Sequence, residues 1–213
     1  MTVTFPGARN ESVRAALSER HRQMLYGESG NSLDVVAERG YRTCQRRDAF
    51  PPEFKRYQRR VPALVIPMYS PDALTTRHQI RPDKPRVRAG KIVKYETAGG
   101  LGSILDVHPS SMEVVRDRSC RLWITEGIRR VDSLTSRGLC TVGLTDVWNW
   151  QRKGDPLPCW DHVALQGRNV YVVFDSDVMV KPEVQLALER LAEFLQEHGA
   201  GVNVVYLPEV LRA

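Results

Sequence analysis

A chain of 213 residues holds one large domain or two small ones. Its 42% hydrophobic and 26% charged content is that of a globular protein, and no apolar run approaches the ~18 residues of a membrane span. The net charge of +6 is uneven: residues 39–60 carry eight cations against Asp48 and Glu53, and residues 77–94 carry seven against Asp83. Such blocks suit a polyanionic partner, or are solvated surface. The N-terminal MTVTFPGARNESVR has no apolar core of secretory type, so a cytoplasmic location is expected. Cys44, Cys120, Cys140 and Cys159 form no C-x-x-C pair, which argues against a structural zinc site and for reduced, structural thiols.

Residues 8–40 are expected to be helical. Ser18-Glu-Arg-His opens a stretch with Met24 and Leu25 on one face, and Asn31-Ser32 caps LDVVAERG, which stops at Gly40. Residues 44–60 are polar, contain Pro51-Pro52 and read as a loop. VPALVIPMYS, TTRHQIR and KIVKYETAGG then read as strands of a small, basic, mostly antiparallel subdomain. ILDV is one more short strand, followed by a polar linker around 108–120.

From 121 the pattern changes to βα alternation. LWIT is a strand, GIRRVDSLTSRG a helix, LCTVGL a strand, and NVYVVF the strongest strand of the chain. DVWNWQRKGDPLPCWDHVALQGR is a long connection between the last two. KPEVQLALERLAEFLQEHG is the strongest helix: Pro182 sits in its first turn, Leu186, Leu188, Leu191 and Leu195 are its apolar positions, and Gly199 ends it. VNVVYLP is a last strand. Short apolar strands alternating with amphipathic helices predict an α/β fold whose parallel sheet is covered on both faces, with all strand C-termini on one edge. The domains expected are a helical, basic segment 1–60, a basic β-rich subdomain 61–120 and an α/β domain 121–213.

Two strings deliver acid at that edge. LWITEG (122–127) ends in Glu126-Gly127, and VYVVFDSD (170–177) ends in Asp175 and Asp177. Two carboxylates about 4 Å apart repel by roughly 4 kcal/mol at an effective dielectric near 20, so three converging acids call for a cation. A hard divalent ion with oxygen ligands and substrate phosphate is the simplest answer. Alternatively, Asp175 and Asp177 are acids at a helix N-terminus, where acids are favoured anyway.

The order of these strings resembles that of toprim domains, the metal-binding catalytic modules of bacterial-type DNA primases, type IA and type II topoisomerases and some nucleases. LWITEG, IRRVDSLTSRG, LCTVGL, VYVVFDSD and KPEVQLALERLAEFLQEHG follow the family's sequence of elements over 121–208. EGIRRVDSL is most similar to the toprim-like primase domains of phages, plasmids and integrative elements, and Asp132 matches their helix acid, though it also reads as an ordinary acid at a helix core edge. The preceding VPALVIP, QIRP and KYETAGG resemble the small basic subdomain that precedes the toprim in primases, which extends the likeness to residues 60–208.

The resemblance implies a toprim (Rossmann-like) α/β sheet with flanking helices behind a small basic α+β subdomain. It implies a nucleotidyltransferase of primase type acting on single-stranded DNA, with Mg2+ or Mn2+ held by Glu126, Asp175 and Asp177 as catalytic and metal residues. Glu126 would ligate metal or handle the proton of the attacking hydroxyl. Arg81 and Lys94 would contact template or nucleotide phosphates, Arg129 and Arg130 would guide the strand, and Lys181 would meet a phosphate or simply precede its helix. Trp148 and Trp150 are stacking platforms or packing residues. The chain departs from the family in lacking a zinc-binding module and a P-loop, so a zinc-binding domain and a helicase would be separate partners. A toprim nuclease and a non-catalytic nucleic-acid-binding module of a mobile-element replication protein are the alternatives; no segment supplies the nucleophilic tyrosine of a topoisomerase.

Overall fold

The protein is described from a computed structural model, which covers residues 16–174 and 181–206. The chain divides into two compact units, Met1–Met68 with Thr76–Gly102, and Tyr69–Thr75 with Ser103–Ala213.

The first unit begins with helix α1 (Glu19–Arg22), where the Ser18 side chain accepts from the His21 amide. The chain widens into a π-turn, Gln23–Glu28, that buries Met24 and Leu25. Helix α2 (Leu33–Arg39) is capped by Ser32, whose side chain accepts from the Val35 amide, and it closes on Gly40 at φ 79. Six strands follow: β1 (Arg42–Cys44), β2 (Ala63–Tyr69), β3 (Thr76–Pro82), β4 (Arg86–Arg88), β5 (Lys91–Val93) and β6 (Glu96–Thr97). A four-stranded sheet runs β1-β2-β3-β6, antiparallel where β1 meets β2 and where β3 meets β6. Strands β4 and β5 pair only with each other, as a separate antiparallel ribbon.

The segment 44–60, expected to be a polar loop, holds a 3-10 turn at Arg47–Ala49. It also inserts Phe50 and Phe54 into a core with Cys44, Ala63, Val65 and Ile80. In the sequence these two aromatics are masked by the cations and prolines around them. Buried His21 ties α1 to the rest of this unit, with Nδ1 at 2.7 Å from Thr43 Oγ1 and Nε2 at 2.9 Å from Asp83 Oδ1.

The second unit contains β7 (Asp106–Val107), β8 (Leu122–Glu126), α3 (Ile128–Thr135), β9 (Cys140–Leu144), β10 (Gln151–Arg152), β11 (Asp155–Pro156), β12 (Asn169–Phe174), α4 (Pro182–Glu197) and β13 (Gly201–Tyr206). Its main sheet has the order β13-β12-β8-β9-β7. The first four strands are parallel and β7 is an antiparallel edge on β9. The parallel sheet is the one the βα alternation predicts, and the ILDV strand joins it as its antiparallel border.

One face of this sheet is built from Leu122, Ile124, Val170, Val172 and Phe174, and it packs with Leu188, Leu191, Phe194 and Leu195 of α4. Each such side chain removed from water contributes about 1.5–3 kcal/mol. Leu186, read from the sequence as an apolar contact of this helix, is instead 45% exposed. The buried positions are Ala187, Leu188, Leu191, Phe194 and Leu195, a stripe that leaves residue 186 on its solvent side. On the opposite face, α3 lies so close to β9 that a Cβ on Gly143 would stand 2.5 Å from Val131 Cγ2.

The 145–168 connection is more ordered than its composition implies. Strands β10 and β11 form a two-stranded hairpin, and Trp150 and Trp160 are buried with the Trp160 indole donating to the Trp150 carbonyl at 2.9 Å. Trp150 stacks on Phe194 with ring centroids 5.1 Å apart. This corrects the base-stacking reading of Trp150, whose ring is buried in the core. The polar linker at 108–120 is likewise built in. It contains 3-10 turns at Pro109–Ser111 and Val114–Arg116, and fully buried Arg168 donates to the carbonyls of Val115 (2.6 Å), Cys120 (2.7 Å), Val114 (3.0 Å) and Ala164 (3.1 Å).

Candidate active site

In the second unit the C-terminal edge of the parallel strands carries Glu126. Strand β8 pairs with β12 through Ile124↔Val172 and Thr125↔Val173, so Glu126 lies one residue further along, level with Phe174 at the end of β12. On its other side Glu126 pairs with Leu144 of β9. The next residue, Gly127, turns the chain into α3 at φ 90, a conformation that side-chain-bearing residues rarely adopt, and its amide donates to the Leu144 carbonyl at 2.8 Å. The Glu-Gly pair therefore has a physical reason: the glycine permits the turn and the glutamate is left half-exposed at the sheet edge.

Around it, Arg130 donates to the Glu126 carbonyl at 3.4 Å, and Arg129 and Arg130 are half-buried on α3. Asp132 is fully buried on the same helix. Lys181 is exposed and serves as the N-cap residue of α4, where its carbonyl accepts from the Val184 and Gln185 amides at 3.0 and 3.1 Å. Trp148 is half-buried in a groove with Arg190, Glu193 and Phe194. Asp175 and Asp177 lie outside the described residues; they follow Phe174 directly in the sequence.

The three acids offer carboxylate oxygens only, with no thiol or imidazole beside them in the sequence strings. That donor set suits a hard cation such as Mg2+ or Mn2+ rather than zinc. Glu126 is the only one of the three among the described residues, and those residues by themselves form no group of three or more His, Cys, Asp or Glu side chains able to hold an ion. Burial pushes the Cys140 and Cys159 thiols upward, so both stay protonated at neutral pH and neither is a nucleophile for this site.

In the first unit, one of the two basic residues singled out from the sequence is held by the tyrosine that follows the other in the chain. Arg81, on β3, donates to the Tyr95 hydroxyl at 2.7 Å and its guanidinium stands 5.0 Å from the Tyr95 ring centroid. Lys94 is the neighbour of Tyr95 and is exposed. Tyr95 thus fixes Arg81, a positioning role that the Lys-Tyr string contained but did not reveal.

A second basic group was visible only as composition. Arg47, Arg56, Arg59, Arg60 and Lys84 surround Tyr57 and Val61 in an open cleft of about 690 Å3. Arg59 is held by the Phe54 and Pro52 carbonyls at 2.9 and 3.2 Å. Arg86 bonds Glu96 at 2.9 Å and stacks 5.3 Å from the Tyr57 ring centroid. Tyr57 itself is 58% exposed. The signal that would have found the cleft is the aromatic set among cations in KRYQRR.

A family model described as a domain of unknown function (DUF3854) matches residues 112–212. No curated protein matches the chain. Among solved structures, the zinc-binding and RNA polymerase domains of the Aquifex aeolicus primase align with TM-score 0.57 at 16% identity, over 96% of this chain and 54% of that one. The fold is that of bacterial primase catalytic cores. A DnaG primase catalytic domain bound to single-stranded DNA aligns with TM-score 0.58 at 14% identity, over 96% of this chain and 71% of that one. The RNA polymerase domain of the Mycobacterium tuberculosis primase DnaG gives TM-score 0.58 at 13% identity, over 95% and 75%. The chain therefore spans 54% of the length of that two-domain Aquifex chain and shares the fold of the part it covers. No helix among the described residues is long and apolar enough to cross a membrane.

Proposed function

We propose that this chain is the catalytic part of a primase-type enzyme of the toprim class, transferring nucleotides on a single-stranded DNA template, and that it belongs with the primase proteins of mobile elements. One observation carries the reading. Glu126-Gly127 stands at the C-terminal edge of a parallel sheet with primase-core fold, level with the end of the strand that leads into Asp175-Ser-Asp177.

On this reading Glu126, Asp175 and Asp177 hold Mg2+ or Mn2+, which when bound neutralises the phosphates of the incoming nucleotide and lowers the barrier to their displacement. Glu126 orients the attacking hydroxyl or accepts its proton. Arg81, fixed by Tyr95, and Lys94 take phosphates of template or nucleotide. Arg129, Arg130 and Lys181 add positive potential near the acid edge and keep the strand in place. Asp132 is buried and supports α3 rather than touching substrate. A zinc-binding domain and a helicase complement this chain, as partners or as parts of a larger replication protein, and the enzyme works in the cytoplasm.

The test is incorporation of labelled nucleotide on single-stranded DNA by the purified chain with Mg2+ or Mn2+. Extension products support the proposal. Strand cleavage in the same reaction establishes the nuclease alternative, and binding with neither product establishes a non-catalytic module.

A further inference from the structure

The β4–β5 ribbon is unlike the rest of the first unit. Its register pairs Arg86 with Val93, Val87 with Ile92, and Arg88 with Lys91, and Ala89-Gly90 closes it with both φ angles positive, at 48° and 75°. Partners in an antiparallel pair share a face, so Val87 and Ile92 stand side by side on one face and the other two pairs lie on the opposite one. The second face is anchored at its base: Arg86 is tied to buried Glu96 and to the Tyr57 ring, and Val93 is half-buried. The first face is open, with Val87 64% and Ile92 61% exposed.

Two adjacent aliphatic side chains held out on a paired ribbon are a costly surface to leave in water. Their surroundings say what covers them. Lys84, Arg88, Lys91 and Lys94 are all exposed along the same ribbon and its entry and exit, so the occupant is polyanionic. The apolar contact is confined to one pair, too small to anchor a lipid surface, and it is aliphatic. Single strands are met by aromatic platforms, whereas aliphatic wedges act on duplexes, where they unstack a base step. A two-stranded ribbon is also narrow enough to enter a groove.

We propose that this ribbon is a wedge for base-paired nucleic acid, with Val87 and Ile92 packed against a base step and Arg88 and Lys91 on the flanking phosphates. It rests on the nucleic-acid part of the reading above and deepens it: the ribbon engages the duplex that forms as a template is copied, while the acid edge does the chemistry.

The test uses the full chain without nucleotide or metal, and a short duplex carrying 2-aminopurine at successive steps. Binding should raise the fluorescence at one step by several-fold, reporting unstacking. The double substitution Val87→Ser with Ile92→Ser should abolish that rise even at saturating protein and weaken duplex binding, while leaving thermal melting close to wild type. Arg88→Ala with Lys91→Ala should reduce the slope of log affinity against log salt by about 1.8. An undiminished rise in the Val87→Ser, Ile92→Ser protein, an unchanged salt slope in the Arg88→Ala, Lys91→Ala protein, or tighter binding to anionic vesicles than to duplex, overturns the proposal. Because no chemistry is read, a chain that fails to incorporate nucleotide but unstacks the duplex keeps the wedge and loses the primase reading, and the reverse result does the opposite.

Discussion

Two arginine sets, one in each unit, do opposite work. In the second, Arg168 is fully buried and committed to main-chain carbonyls, so it holds the 114–120 segment to the start of β12. In the first, Arg47, Arg56, Arg59 and Arg60 gather around an exposed tyrosine, and Arg86 and Arg88 stand on a separate ribbon. A cation whose hydrogen bonds are all internal serves the fold; cations crowded together against their own repulsion serve a partner. Composition alone scores both as basic.

Breaking the internal cation should have the largest effect on stability. Arg168→Met leaves several buried carbonyls without donors, at about 1–3 kcal/mol each, so a loss of at least about 3 kcal/mol is expected in urea unfolding. Arg168→Lys should recover only part of it, because an ammonium lacks the planar fork that reaches four carbonyls. A loss under about 1 kcal/mol in the Met variant would remove Arg168 from the structural side of the comparison.

Next in size is the helix–strand approach in the second unit. Gly143→Ala drives a methyl into Val131 and should cost about 1–3 kcal/mol. Adding Val131→Ala should return part of that loss, a non-additive coupling that a double-mutant cycle in urea would detect.

A smaller effect separates the units by pH. Burial is the largest influence on His21 and holds its pKa below the ordinary value of 6.5, although the Asp83 contact works the other way. The unfolded chain therefore takes up this proton first as pH falls. Stability from His21 is full above pH 6.5, declines below it, and levels off once pH passes the folded pKa. Urea titrations from about pH 7.5 to about pH 5 should show this decline in the wild type and a shallower one in His21→Gln. An equal slope in both would assign the acid sensitivity elsewhere.

The smallest effect on stability belongs to the cleft. Arg56→Ala and Arg60→Ala should change unfolding free energy by less than about 0.5 kcal/mol. If the cleft takes strand phosphates, removing one of these cations should lower the salt slope of single-strand binding by about 0.7. Variants that melt early would move these arginines to the structural side.

Sequence periodicity revealed the parallel sheet because its strands are short apolar runs separated by capped helices, and Gly127 and Gly143 sit where LWITEG and LCTVGL place them. The resemblance to primases, rather than periodicity, brought Arg81 and the Lys94-Tyr95 pair forward together, though not the hydrogen bond that joins Arg81 to the tyrosine. Other features were illegible because they depend on partners distant in the chain. Phe50 and Phe54 look like loop residues until β2 and β3 are beside them. Leu186 and Leu188 look equivalent until the helix stripe is fixed by what it faces. The 108–120 linker looks free until Arg168, some 50 residues later, supplies its donors. Of the acid site, Glu126 is placed at the sheet edge as the strand reading requires.

The most direct test of the central claim compares nucleotide incorporation on single-stranded DNA by the wild type, Glu126→Gln and Asp175→Asn, with Mg2+ and with chelator. The account predicts metal-dependent extension that falls on the order of a hundredfold or more in each variant while DNA binding is retained. Extension that survives chelation, or that either variant supports at the wild-type rate, would contradict it.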